Sequence, residues 1–334
     1  MRKRLIMMTV ATGALVIAMA VPAAAHEVDD TALPIGDGPV STPTNGGVYR
    51  CGSGGGQGGS SATGDWINGD GTWDSTKKPT VDGDVEWPAA EVTITSQGST
   101  RVISGNGLPI DHTTGEFPIS SSDDAYQYDR NPNSISESTV SVELPKNPEV
   151  ADEATCLSAG PIGYLKTGVA LFDALDAGGR DAVVYEIQDK CNGHPQQSGQ
   201  YHYHNVSTCV LDALDSDRGQ SKLLGYALDG FGIYGPRDAS GKELTNDDLD
   251  ECHGTTSVVK FNGKKQRIYH YVITKEYPYT LGCFKGTPSS SGQDTGPNRD
   301  NQQATGNGGT QTGMPPTGAP PNGMPPGPPP AMAN

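Results

Sequence analysis

Positive charge is scarce in this sequence. Its 23 Lys and Arg stand against 39 Asp and Glu, a formal net charge of −16, which argues against nucleic acid and anionic membrane surfaces as partners. Large aromatics are also few: five Phe and three Trp among 45 Gly and 26 Pro limit the core and multiply the loops. No CxxC pair occurs, which argues against a zinc ribbon and a thioredoxin-like redox centre. A Ser-His-Asp order, a nucleophile elbow, HExxH and a phosphate-binding loop are missing as well, so the common hydrolase and nucleotide-binding mechanisms have no support. Beyond residue 25 no apolar run approaches the roughly 20 residues that span a bilayer.

What is present begins with Arg2, Lys3 and Arg4, an apolar stretch from Leu5 to Val21, and Ala23-Ala24-Ala25. This is the charge, apolar core and small-residue pattern of a secretory signal peptide over residues 1–25. The expectation is a secreted, extracellular protein that starts at His26 and has no membrane contact after cleavage. A terminal His26 would place an amine and an imidazole on one residue, a copper chelate of the kind used by histidine-brace oxygenases. The Gly/Pro-rich stretch after it offers no rigid surface to hold such a chelate.

Composition divides the rest into a flexible Gly/Ser-rich lead-in at 26–60, a globular region at 61–286 and a disordered Pro/Gly/Met-rich tail at 287–334. All six cysteines follow the leader, and an even number in an exported chain implies disulfides. The expected pairs are Cys191 with Cys209 and Cys252 with Cys283, because each brackets a histidine-bearing stretch.

Short strand signals fill the globular region: "DVEWPAAEVTIT", "STVSVELP", "AVVYEIQ", "QYHYHNV", "LLGYALDGFGIYG", "SVVKFN" and "QRIYHYVIT". "KFNGKKQRIYHY" predicts a hairpin turning at Asn262-Gly263. Helical signals are limited to "ALFDALDAGG", ending near Gly178, and a capped turn in "TNDDLDEC" from Thr245 or Asn246. The fold expected is mainly β: a disulfide-stapled, multi-strand, β sandwich-like domain with long loops and few short helical turns.

One stretch carries chemistry. In "GQYHYHNVSTC" strand alternation puts His202 and His204 on one face with Gln200 and Val206, and Tyr201 and Tyr203 on the other. Two imidazoles about 7 Å apart on one strand face can reach a single ion. The same alternation also suits a half-exposed strand with no ligand. His270 shares a face with Ile268 and Val272 and therefore points inward, where an imidazole needs a hydrogen bond or a metal. His194 lies in "QDKCNGHPQ", and Asp189 and Glu251 are the candidate carboxylate ligands or acceptors behind them. The candidate metal set is thus His202, His204, His270, His194, Asp189 and Glu251, and the candidate ion is copper or zinc.

"GHPQQSGQYHYH", "GYALDGFGIYGP", "LDECHG" and "YHYVITKEYPYTLGCFKG", in this order, resemble the YHYH-domain family of secreted proteins, most strongly over residues 150–286. The resemblance implies no reaction. In the second tyrosine-histidine stretch, Tyr269-His270-Tyr271-Val272, the last position is Val where a repeat of the first would have His, so that strand offers one imidazole.

Three functions follow in order. The first is a metal-binding module. The second is a non-catalytic extracellular binding or surface-associated protein, its protein or cell-wall partner unspecified, in which His and Tyr are structural. The third is a metal-dependent oxidoreductase or hydrolase. Eight of the 13 tyrosines fall between 201 and 279, where a phenol beside a metal suits the third, although tyrosine also packs strands.

Overall fold

The computed structural model describes residues 28–36, 38–52, 59–205 and 207–291. The stretch expected to be a signal peptide, His26 and the residues beyond 291 lie outside the described residues. The chain divides into Met1–Asp294 and Thr295–Asn334, and the described fold belongs to the first.

Two sheets make up most of the structure. Strands β1 (Val92–Gln97), β2 (Thr100–Gly105) and β3 (Val140–Pro145) form an antiparallel meander. The second sheet holds β4 (Pro161–Leu165), β5 (Ala170–Phe172), β6 (Gly193–Pro195), β7 (Tyr201–Tyr203), β8 (Leu223–Ala227), β9 (Gly232–Tyr234), β10 (Gly254–Phe261) and β11 (Lys264–Val272). Its spatial order is β6-β7-β5-β4-β8-β9-β11-β10. Read outward from the central pair β4 and β8, both halves place their strands in the same succession: first, second, fourth, third. Two-residue pairings, Leu33–Pro34 with Thr72–Trp73 and Pro39–Val40 with Val48–Tyr49, tie the N-terminal segment down.

Strands β4 and β5 are buried along their whole length, as a continuous apolar run covered on both faces requires. The meander is joined to the large sheet through Arg101, whose guanidinium lies 3.7 Å from the Tyr226 ring centroid and 5.2 Å from that of Phe261. Both aromatic faces stabilise the buried cation. Strands β10 and β11 turn at Asn262-Gly263 with φ of 50° and 78°, the left-handed pair that a two-residue hairpin needs.

The fold is mainly β and stapled by three disulfides, Cys51–Cys156, Cys191–Cys209 and Cys252–Cys283. The last two are the pairs expected from the sequence. Two local readings are corrected. "AVVYEIQ" is not a strand: Ala182–Tyr185 forms helix α1, because the Asp181 side chain accepts from the Val183 N–H and caps a helical turn. "ALFDALDAGG" is not helical: its Ala170–Phe172 is β5, which pairs with β4 and β7 and so has its conformation set by tertiary contacts. The turn at Thr245 forms as a 3-10 element, Asn246–Asp248, with a capping box from Thr245.

Candidate metal centre

Strands β6 and β7 form a hairpin in which His194 sits directly opposite His202. Asp189 holds its near end. Its Oδ1 accepts from the Cys191 and Gly193 N–H groups, and its Oδ2 accepts from the Gly115 N–H and the Tyr201 hydroxyl. Gly193 has to be glycine, since a Cβ there would come 2.1 Å from the Tyr201 ring. The Cys191–Cys209 bond then ties the hairpin to helix α2 (Thr208–Leu214). Tyr201 and Tyr203 face away from the histidines, and the Tyr203 hydroxyl donates to His112 Nε2 at 2.5 Å.

On the other face His194, His202 and His204 come together, with ligand atoms within 4.8 Å of one another and all three side chains buried. Backbone carbonyls fix two of the tautomers. His202 Nδ1–H donates to Gln200 O at 3.2 Å, and His204 Nδ1–H donates to Asp173 O at 2.5 Å. A neutral imidazole carries one proton, so both Nε2 atoms are left as bare acceptors. They face each other across 3.1 Å. Two lone pairs at that separation repel unless a cation stands between them.

Two more groups aim at the same place. Among the described residues neither nitrogen of His194 has a hydrogen-bond partner, and neither has Glu186 Oε2. Glu186 Oε2 lies 3.5 Å from both His194 Nε2 and His204 Nε2, too far for a hydrogen bond. Phe172 stacks on His202 with centroids 4.0 Å apart and closes that side.

Burial sets the charges. It pushes His194 and His202 well below the ordinary imidazole range, reinforced by the neighbouring imidazoles, and takes His204 down to about 4. Burial, with repulsion from Asp176 and Asp129, raises Glu186 to about 8. Behind Glu186 the buried Lys78 ammonium donates to the carbonyls of Val183 and Glu186 and to Gln188 Oε1, and desolvation lowers it to about 7. The imidazoles are therefore neutral and free to donate lone pairs near neutral pH.

The His202–His204 spacing and the spacings of Glu186 to His194 and His204 suit a transition-metal ion. With bonds of about 2.05 Å, usual for imidazole on zinc, a nitrogen separation of 3.1 Å gives an angle of about 98°. The 3.5 Å nitrogen–oxygen separations give about 117° at the same bond length. Both angles bracket the tetrahedral value. A cleft of about 760 Å³, whose lining includes Tyr128, Arg130, Asn131, Asn133 and Gln196, opens onto the three histidines and Glu186.

The other sequence candidates lie elsewhere, and the set is corrected accordingly. His270 is on β11, beyond four intervening strands of the sheet. It donates from Nδ1 to Ile268 O at 3.1 Å and packs against Tyr234. Asp189 has both oxygens engaged in the hairpin and presents none to the cluster. Glu251 is paired with Lys285 Nζ at 2.6 Å. Glu186 went unselected because no local pattern marks it: it follows a four-residue helical turn that reads as a strand. A second grouping, His112 with Cys191 and Cys209, offers no thiolate, because both sulfurs are in a disulfide.

The family model described as YHYH protein matches residues 141–246, a span that contains His194, His202, His204 and Glu186 and ends before β10. No curated protein and no solved structure matches the chain. The chain is therefore a YHYH-domain-containing protein.

Proposed function

We propose that this YHYH-domain protein is an extracellular metal-binding module that holds one copper or zinc ion with His194, His202 and His204 as nitrogen donors and Glu186 as the carboxylate. The observation that carries the reading is the pair of Nε2 lone pairs facing each other at 3.1 Å, their Nδ1 protons committed to carbonyls. Unpartnered buried groups at His194 and Glu186 support it, since buried polar atoms are otherwise satisfied. Imidazole suits both ions, and Cu(II) binds the tighter of the two where geometry permits. Three disulfides support an oxidising, extracellular setting.

The test is elemental mass spectrometry of the protein purified from its own host without an affinity tag or chelator, beside His202→Ala/His204→Ala. About one copper or zinc per chain, lost in the variant, is the expected result. Absence of stoichiometric metal in the wild type, followed by no uptake on titration, would refute the reading and leave a structural histidine cluster in a binding module.

The cleft favours a second reading, in which the bound ion acts on a ligand rather than being stored. Its signature is metal-dependent turnover abolished by Glu186→Gln at unchanged metal content.

A further inference from the structure

The large sheet contains the cradle of the metal centre twice. "GYLKTGVALFDALDAGGR", from Gly163, and "GYALDGFGIYGPRDASGK", from Gly225, run in parallel without a gap. Gly168 and Gly230 have φ of 98° and 88°, and Gly179 and Gly241 have 83° and 85°. Isolated bridges join Leu175 to Asp181 and Arg237 to Glu243. Asp176 Oδ1 accepts from the Arg180 N–H as Asp238 Oδ1 accepts from the Lys242 N–H.

The hairpins continue the match. Asp250 Oδ1 accepts from the Cys252 and Gly254 N–H groups, as Asp189 Oδ1 does from those of Cys191 and Gly193. The residues between, His253 and Asn192, both take positive φ, 66° and 62°. Tyr269 donates to Asp250 at 2.9 Å and Tyr201 to Asp189 at 2.8 Å. Each hairpin is closed by a disulfide, Cys252–Cys283 or Cys191–Cys209. Shared strand topology alone does not reproduce side-chain contacts at this level, whereas inheritance from one ancestral sequence does.

The two hairpin registers correspond residue by residue at a second pocket. Thr255 stands opposite His270 as His194 stands opposite His202. His270 Nδ1–H donates to the carbonyl two residues back, as His202 Nδ1–H does, so its Nε2 is likewise an acceptor. Tyr234 replaces Phe172 against the ring, and Val272 replaces His204. These residues, with Arg237 and Asp248, line a pocket of about 230 Å³.

We propose that the sheet is a duplication of one metal-binding half, and that the second pocket is a latent site for a divalent transition-metal ion, disabled by Thr255 and Val272. The proposal rests on the metal reading of His194, His202 and His204. Threonine and valine remove two imidazoles while leaving the strand register and the fixed tautomer of His270 in place; the Asp248 carboxylate at this pocket is held by Lys242 Nζ and the Thr245 N–H.

The experiment is copper and zinc titration of the full chain, followed by elemental analysis, on the wild type, Thr255→His/Val272→His, and that pair combined with His202→Ala/His204→Ala. Near-UV circular dichroism and the absence of free thiols establish that each variant is folded. The expected result is one equivalent in the wild type, two in the double variant and one in the combined variant. A folded double variant that takes up one equivalent overturns the proposal. No uptake by the wild type with one equivalent in the double variant would overturn the reading of the first site and leave the latent cradle standing. If the double variant fails to fold, Val272→His alone supplies a His-x-His pair, and a second, weaker Cu(II) site is then expected. Its absence in a folded protein also overturns the proposal.

Discussion

His202 and His204 present their Nε2 atoms to each other at 3.1 Å while their Nδ1 protons are held by Gln200 O and Asp173 O. The pair has two ways to relieve its repulsion: a proton or a metal ion. Burial makes the proton expensive, since it takes His204 down to about 4 and His202 well below its ordinary range. A divalent ion brings the charge together with new bonds to His194 and Glu186, where neither His194 nitrogen nor Glu186 Oε2 has a hydrogen-bond partner among the described residues.

Metal uptake should exchange one proton, and Glu186 should be its source. Between about pH 6.5 and 8 the histidines are neutral with or without metal, while the Glu186 carboxyl, raised to about 8, still carries its proton. Affinity is expected to rise about tenfold per pH unit up to about 8 and then level off. In Glu186→Gln the profile should be flat across the same range. Calorimetric titration in buffers of different ionisation enthalpy measures the proton count directly, and an identical count in both proteins would remove Glu186 from the ligand set.

The same carboxyl controls the metal-free protein in the opposite sense. Its folded pKa is raised above the unfolded value of 4.5 to about 8, so the native state holds a proton that the unfolded state has released. Stability from this group is fully present below about 4.5 and is lost as pH rises through 8. The Tm of Glu186→Gln relative to wild type should therefore climb across that window, by several degrees, and stay constant above it. A difference that does not change with pH would mean that Glu186 is solvated in the metal-free state.

The His202 and His204 pair was legible in the sequence because strand periodicity puts alternate residues on one face. His194 joined the candidates, but its place opposite His202 depends on the register of the hairpin at Gly193–Pro195 and Tyr201–Tyr203, which local pattern does not specify. The inward orientation of His270 also followed from alternation, and it is 4% exposed. Its separation from the cluster follows from sheet order, a long-range property. Glu186 was hidden by Val183-Val184, β-branched residues that suggest a strand until Asp181 caps a helical turn. The duplicated "GY…D" segments were written in the sequence and become evident once the mirrored strand order is seen.

His270→Ala should leave metal stoichiometry and affinity at the first site unchanged. The imidazole is separated from β7 by the strands β5, β4, β8 and β9, and substitutions that distant act independently to within about 0.5 kcal/mol. Loss of the Tyr234 ring contact should cost stability, about 1 to 2 kcal/mol by denaturant titration. Loss of the metal in this variant would instead place His270 in the coordination sphere or show that the sheet order differs in solution.

Asp189 acts on the site through the hairpin, and Asp189→Asn separates that role from ligation. The carboxylate receives four hydrogen bonds, two on each oxygen: from Cys191 and Gly193 N–H at 2.9 and 3.1 Å, and from Gly115 N–H and Tyr201 OH at 2.9 and 2.8 Å. An amide replaces one oxygen by a donor, so in either orientation two buried donors lose their acceptor and confront an NH₂ group. The cost should be about 3 kcal/mol of stability in the metal-free protein. Because Gly193 and Tyr201 set the register that puts His194 opposite His202, metal affinity should fall as well, while saturating metal still brings the stoichiometry to that of wild type. Thermal denaturation with and without saturating zinc distinguishes the roles. Recovery of part of the lost Tm by zinc identifies Asp189 as the residue that positions the imidazoles, whereas a folded variant that zinc does not stabilise at any concentration would make its carboxylate a ligand.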